Sequence, residues 1–67
     1  MIYLYENIWT EPNLDGIHSD VFLSTMINKS ISYCRWDESN GTLSVVWDEE
    51  LNNEDKFILD TIVSTNQ

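Results

Sequence analysis

An Asn-Gly dipeptide at Asn40–Gly41 constrains the fold of this chain more than any other feature of its sequence. It lies between two runs of strand-forming residues, 31–36 and 42–48. Both dipeptide positions tolerate the positive φ that a tight hairpin turn requires. The sequence therefore predicts an antiparallel hairpin in the middle of the chain.

The turn also predicts the register of this hairpin. With Asn40 and Gly41 as the two central turn residues, Trp36 pairs with Val45 and Cys34 pairs with Trp47. A longer loop would shift this register by one residue and alter the two faces. In the two-residue register, one face carries Cys34, Trp36, Leu43, Val45 and Trp47, and the other carries Ile31, Tyr33, Arg35, Val46 and Asp48.

The first nine residues, MIYLYENIW, are rich in strand formers. Alternation places Ile2 and Leu4 on one side and Tyr3 and Tyr5 on the other. Two interpretations follow for residues 1–9. They are either an edge strand of the domain or an arm that pairs with a neighbouring chain.

Two helices are predicted, one on each side of the hairpin. The first lies within residues 17–29 and has Ser19 as its cap. Its apolar stripe consists of two i, i+4 pairs, Phe22 with Met26 and Leu23 with Ile27. The second helix begins with Asn52 or Asn53 as its cap. Its apolar positions recur at helical spacing, at Ile58, Leu59, Ile62 and Val63.

Together these elements predict one small α+β domain over residues 1–67, in the order β-α-β-β-α. A chain of this length buries a modest core, and small domains often add disulfides, a metal or a partner chain. With one cysteine and one histidine, an internal disulfide is excluded and a structural zinc site is not expected. Association of the chain with itself or with another protein is therefore the favoured source of additional stability.

The charge is strongly unbalanced, with twelve Asp and Glu against three Lys and Arg, a net charge of -9. Such a chain is repelled by phosphates and anionic lipids, so neither nucleic acid nor a membrane is expected as a direct partner. We find no signal peptide, and no apolar run approaches the length of a membrane span. Together with the single free cysteine, these features predict a reducing, cytoplasmic location.

No pattern in the sequence predicts an enzyme or a cofactor site. His18 is the only imidazole, and the only thiol, Cys34, lies on a strand face predicted to be buried. Residues 37–48 have the length of a calcium loop, but Thr42 occupies the position that requires glycine. With two glycines in the chain, there is no phosphate-binding loop.

The densest acidic run follows the hairpin, at Asp48, Glu49 and Glu50, with Glu54 and Asp55 a few residues later. Three interpretations fit it: a solvated acidic rim, a surface that meets a basic protein, or a divalent-ion site. The first is preferred, because residues 54 and 55 are explained by the helix dipole.

The segment Thr42 to Asn66, TLSVVWDEELNNEDKFILDTIVSTN, resembles the C-terminal part of small proteins and tail-end modules of tailed bacteriophages. There a strand is followed by Leu, a cap, acidic residues and a helix ending in Leu-Asp-x-Ile-Val. The corresponding residues here are Leu51, Asn52, Asn53, Glu54, Asp55, Leu59, Asp60, Ile62 and Val63. The usual cap in that pattern is Ser or Thr, so Asn departs from it. The resemblance covers about a third of the chain and transfers no functional residue. It implies a virion-associated or accessory role, and therefore a location in the virion or the host cytoplasm.

Two functions are therefore expected in order of preference. The first is a structural phage protein, such as a capsid decoration protein or a tail or neck component, within a homo-oligomer or larger assembly. Its contacts would be aromatic: Tyr3, Tyr5 and Trp9, with Trp36 or Trp47 if either faces outward. The second is an acidic inhibitor of a host nucleic-acid-binding protein, which would act through Asp48, Glu49 and Glu50.

Overall fold

The fold combines a three-stranded sheet with two helices. A computed structural model describes residues 1–24 and 29–67 of the chain. Its elements are β1 (Ile2–Tyr5), α1 (Leu14–Phe22), β2 (Ile31–Asp37), β3 (Thr42–Trp47) and α2 (Asn53–Thr65). The predicted α+β class and the order β-α-β-β-α are confirmed.

The sheet has the strand order β1-β3-β2, and both of its pairings are antiparallel. β3 is therefore the central strand, and β1 and β2 form the two edges. Residues 2–5 thus form the edge strand, the first of the two interpretations of the N-terminal segment. The connection through α1 carries the chain from one edge of the sheet to the other.

The hairpin forms as predicted, but its register differs by two residues. Trp36 pairs with Leu43 and Cys34 with Val45, because the turn is a four-residue loop over 38–41. This loop is closed by the Asp37 carboxylate, which accepts hydrogen bonds from the Ser39 backbone N–H and the Asn40 side-chain amide. Because the shift is an even number of residues, most side chains of the hairpin lie on the face of the sheet that was predicted for them.

Ile31 is the exception, and its predicted face is wrong. The pairing is irregular between Ile31 and Tyr33, so that Ile31 pairs with Trp47 while Tyr33 pairs with Val46. This bulge brings Ile31 to the same face as Trp47, where it packs against the core.

α1 begins six residues earlier than predicted. Asn13, not Ser19, is its cap, and the Asn13 side chain accepts a hydrogen bond from the Gly16 backbone N–H. Ile17 and Val21 are its buried residues. The predicted stripe is wrong at its first two positions, because Phe22 and Leu23 are 67% and 80% exposed. Its other two positions, Met26 and Ile27, lie outside the described residues.

α2 agrees closely with its prediction and packs with α1 on one face of the sheet. Asn52 is its cap, and the Asn52 side chain accepts a hydrogen bond from the Asp55 backbone N–H. The core contains Ile8, Ile17, Val21, Leu43, Val45, Trp47, Leu51, Leu59, Ile62 and Val63. Since both helices contribute to this one cluster, the opposite face of the sheet has no helix over it in the described part of the chain.

Candidate protein-binding face

The sheet presents an apolar surface on the side away from the helices, which we call the open face. Its centre consists of Ile2, Leu4, Tyr33 and Val46. The side chains of Ile2, Leu4 and Tyr33 are 57%, 61% and 53% exposed. Val46 is half-buried between its two neighbouring strands. A sheet with one open side more commonly alternates apolar core residues with polar outer residues, so this surface departs from the ordinary pattern.

The strand register arranges these side chains in rows across all three strands. Val46 on β3 pairs with Ile2 on one side and with Tyr33 on the other. Ser44, two residues earlier, pairs with Leu4 and with Arg35. Paired side chains in antiparallel strands lie about 4.5–5.5 Å apart at Cβ. The open face is therefore a contiguous patch rather than a set of isolated side chains.

Carboxylates lie at both ends of the open face. Asp48 follows β3 at the end nearest Val46, and its carboxylate accepts a hydrogen bond from the Ser32 hydroxyl at 2.6 Å. At the other end are Asp37, which pairs with Thr42, and Glu6, which directly follows β1.

Two of the three cations are already engaged in ion pairs. Lys29 Nζ lies 2.9 Å from an oxygen of Asp55, and Lys56 is paired with Asp60. The hydrogen bond with Asp55 raises the pKa of Lys29, with a smaller contribution from the charge of Glu49. Within the described residues, Arg35 has no such partner. The remaining carboxylates therefore give most of the surface a negative potential.

Tyr3 and Tyr5, predicted to bind a partner, lie on the other face of the sheet, toward α2. The Leu51 backbone N–H donates a hydrogen bond to the Tyr3 hydroxyl at 2.8 Å, and the Tyr5 hydroxyl donates to Asp60 at 2.7 Å. Lys56 Nζ lies 5.7 and 5.1 Å from the two ring centroids. Both tyrosines are half-buried. Their proposed partner contacts stay a prediction, and their hydroxyls join β1 to the segment around α2.

Trp9 covers the hairpin loop while keeping 64% of its surface exposed. Asn7 has a positive φ of 61°, and the chain beyond it crosses the loop, where the Ile8 backbone N–H donates to the Gly41 carbonyl at 2.8 Å. The Trp9 ring then lies directly over Gly41. Trp9 is thus the predicted aromatic contact that stays available to a partner.

The other two tryptophans support the fold. Trp36 is half-buried, and its indole N–H donates to the Ile8 carbonyl at 2.9 Å. Trp47 is 1% exposed, so it does not face outward. Its Nε1 has no hydrogen-bond partner among the described residues.

The predicted acidic site is divided by the structure. Asp48, Glu49 and Glu50 are exposed after β3, whereas Asp55 is buried at the start of α2. In residues 1–24 and 29–67, no three His, Cys, Asp or Glu side chains form a group that could hold a metal ion. Asp48, Glu49 and Glu50 are therefore accessible to solvent or to a basic partner, and their role stays a prediction.

The single thiol is poorly suited to nucleophilic chemistry. Cys34 is half-buried on β2, and burial raises its pKa to about 11. A thiol nucleophile reacts as its thiolate, and at neutral pH this thiolate is scarce.

No protein-family model matches the chain, and searches of curated proteins and of solved structures also find no match. Among the residues that the structure describes, no helix combines the length and the hydrophobicity needed to cross a membrane.

Proposed function

We propose that this chain is a non-enzymatic protein-binding module, which attaches to a larger protein assembly through its open face. The observation that carries this proposal is the contiguous apolar patch formed by Ile2, Leu4, Tyr33 and Val46 across all three strands. The largest apolar patch on a monomeric soluble protein often serves as a binding surface. Trp9 is an additional anchor at the hairpin end of the molecule.

The resemblance of residues 42–66 to phage proteins suggests the setting for this module. We propose a small virion component, such as a capsid decoration protein or a tail or neck accessory protein, found in the virion or the host cytoplasm. A component of this kind requires a stable fold and a binding surface but no catalytic group.

The experiment compares matched surface variants for their association with assembled particles. Leu4→Glu places a charge in the open face, whereas Phe57→Ser removes an apolar side chain that is 72% exposed on α2. Tagged variants are expressed in cells that carry the gene in its natural context, and particles are separated by density. We expect the wild type and Phe57→Ser to sediment with particle proteins and Leu4→Glu to remain unbound. Sedimentation of all three with particles would exclude the open face as the attachment surface.

The acidic surface favours a second candidate function, inhibition of a host nucleic-acid-binding protein. Its support is the net charge of -9, together with the two ion pairs that leave few free cations. If this candidate is correct, Asp48→Asn/Glu49→Gln/Glu50→Gln loses the partner while Leu4→Glu retains it. The binding would also weaken steeply with salt.

A further inference from the structure

We infer that the open face receives a cationic protein surface, with an apolar centre flanked by Lys and Arg, and not a second copy of this chain. This inference rests on the proposed function and specifies its partner. It follows from three properties of the molecule: its total surface, the size of the open face and the distribution of charge.

The total surface shows that the chain closes its own core. Its accessible surface is 4437 Å² for a mass of 7.9 kDa. The size scaling of compact monomers gives about 4,400 Å² for that mass. A chain that required a second copy to complete its fold would expose an excess of surface. The open face is therefore a binding surface on a domain that folds as a monomer. It is not half of a hydrophobic core shared between two copies.

The size of the open face argues against a dimer of two such sheets. The strands have four, seven and six residues. At about 3.3 Å per residue and a spacing of about 4.8 Å, they give a flat area of roughly 270 Å². A stable interface of standard size buries about 800 Å² on each partner. Two stacked sheets would fall well below this value unless the surrounding residues also made favourable contacts.

Carboxylates outnumber cations around the open face, although Arg35, which pairs with Ser44, also lies on it, and this excess of negative charge decides between the two occupants. Asp48 lies at one end of the open face, and Glu6 and Asp37 lie at the other. In a pair of identical copies, each with a net charge of -9, these carboxylates would face a second strongly acidic molecule. A partner with Lys and Arg around an apolar centre would instead meet opposite charge at both ends.

The test uses a synthetic amphipathic helix made of Leu and Lys as the probe, titrated into the isotope-labelled protein and followed by NMR. Two matched peptides serve as controls, one with Glu in place of Lys and one with Ser in place of Leu. We expect saturable shifts at Ile2, Leu4, Tyr33 and Val46 with the first peptide and none there with the controls. The dissociation constant should rise about tenfold or more between 50 and 300 mM NaCl.

Protein variants separate failure of the inference from failure of the proposed function. Leu4→Glu should abolish binding, Phe57→Ser should retain it, and Asp48→Asn/Glu49→Gln/Glu50→Gln should weaken it at least about threefold. Equal binding of the Glu peptide, or no effect of the triple variant, would overturn the cationic partner alone. Shifts that avoid the open face, binding that survives Leu4→Glu, or no saturable binding would overturn both proposals.

The oligomeric state provides an independent check. Sedimentation equilibrium of the wild type from 10 to 500 µM, at low and high salt, is expected to give a monomer throughout. A dimer that Leu4→Glu disrupts would identify a second copy as the occupant. That result would overturn the cationic partner while leaving the open face as the binding surface.

Discussion

At the scale of single residues, the environment of Cys34 predicts an unreactive thiol. Burial raises its pKa from 9.0 to about 11. At pH 8 this lowers the thiolate fraction by about a hundredfold relative to an ordinary cysteine. Modification by iodoacetamide at pH 8 should be slower by about that factor in the native protein than in the urea-unfolded protein. Equal rates in the two states would contradict the burial of this thiol.

Gly41 is a second residue at which the surrounding structure requires a glycine. It has a positive φ of 61°, and a Cβ built on it would lie 2.8 Å from atoms of the Trp9 ring. We expect Gly41→Ala to lower the free energy of unfolding by about 1–3 kcal/mol, through backbone strain and the steric clash. Urea denaturation monitored by circular dichroism measures this change.

A double-mutant cycle separates the two causes of that loss. In a Trp9→Ala background the clash with the indole is absent, so Gly41→Ala should cost less than in the wild type. The remaining cost measures the strain of the positive φ. If the cost is unchanged in this background, the Trp9 ring does not lie over the loop.

At the scale of elements, the cap of α2 is the clearest case. The sequence left Asn52 and Asn53 as alternative caps, and the hydrogen bond from the Asp55 backbone N–H identifies Asn52. Asn52→Ala should therefore lower the free energy of unfolding by about 1 kcal/mol. The matched control is Asn53→Ala, at the exposed first residue of the helix, where little change is expected. A larger loss of unfolding free energy for Asn53→Ala than for Asn52→Ala would show that Asn53 is the cap and that Asn52 is not.

The elements that the sequence predicted well are those defined by local signals. α2 has its cap, its acidic first turn and its apolar period within fifteen residues. The hairpin has its Asn-Gly dipeptide, which predicted the position of the connection, although the loop has four residues instead of two. α1 was misplaced because a helix beginning after Pro12 and Asn13 contains Gly16, and the apolar residues further along suggested a later start.

The open face was harder to predict because it depends on contacts between distant elements. Ile2 and Leu4 alternate with Tyr3 and Tyr5, and both pairs are apolar enough to enter a core. Tyr3 and Tyr5 face the helices because their hydroxyls form hydrogen bonds with Leu51 and Asp60, respectively. Each of these partners is more than 45 residues away in the sequence. The bulge between Ile31 and Tyr33 was likewise hard to predict, because no turn residue marks its position in the sequence.

The contact between β1 and α2 predicts a pH-dependent contribution to stability. Burial acts to raise the pKa of Asp60, but hydrogen bonds from Lys56 and Tyr5 outweigh it and lower the pKa below its usual value. Asp60 therefore stabilises the fold above about pH 4, where the unfolded carboxyl is ionised, and this contribution is lost as pH falls through the folded pKa.

Asp60→Asn measures this contribution. Because the carboxylate is largely exposed, the loss of unfolding free energy at pH 7 should be less than about 1 kcal/mol, and it should shrink as pH falls below about 4. Tyr5→Phe, which removes one of the two bonds, should show a smaller effect with the same pH trend. A difference between wild type and Asp60→Asn that is constant from pH 7 to pH 3 would contradict this assignment.

At the scale of the whole molecule, β1 is essential to the domain. It supplies an edge of the sheet, and the segment after it contributes the buried Ile8. Without residues 1–9 the sheet would be reduced to the β2–β3 hairpin under the two helices, and the core would lose Ile8, so we expect the whole domain to be destabilised. A loss of particle binding in such a truncated chain would therefore not identify a binding arm, and the point variant Leu4→Glu is the more informative test.

The net charge of -9 predicts that salt stabilises the whole fold. Compaction brings the carboxylates together, and two of the three cations are already paired with Asp55 and Asp60, so screening should relieve repulsion. We expect the melting temperature at pH 7 to rise by about 4–8 °C between 20 and 300 mM NaCl, which corresponds to about 1 kcal/mol for a domain of this size.

The control for this prediction is the same pair of salt concentrations at about pH 4.1, where the net charge of the chain is close to zero. Electrostatic self-repulsion is then small, so the salt-induced rise in melting temperature should largely disappear. An equal rise at both pH values would assign the effect to general salt action on apolar burial instead. A rise confined to pH 7 would show that the isolated domain bears the repulsion that a cationic partner would relieve on binding.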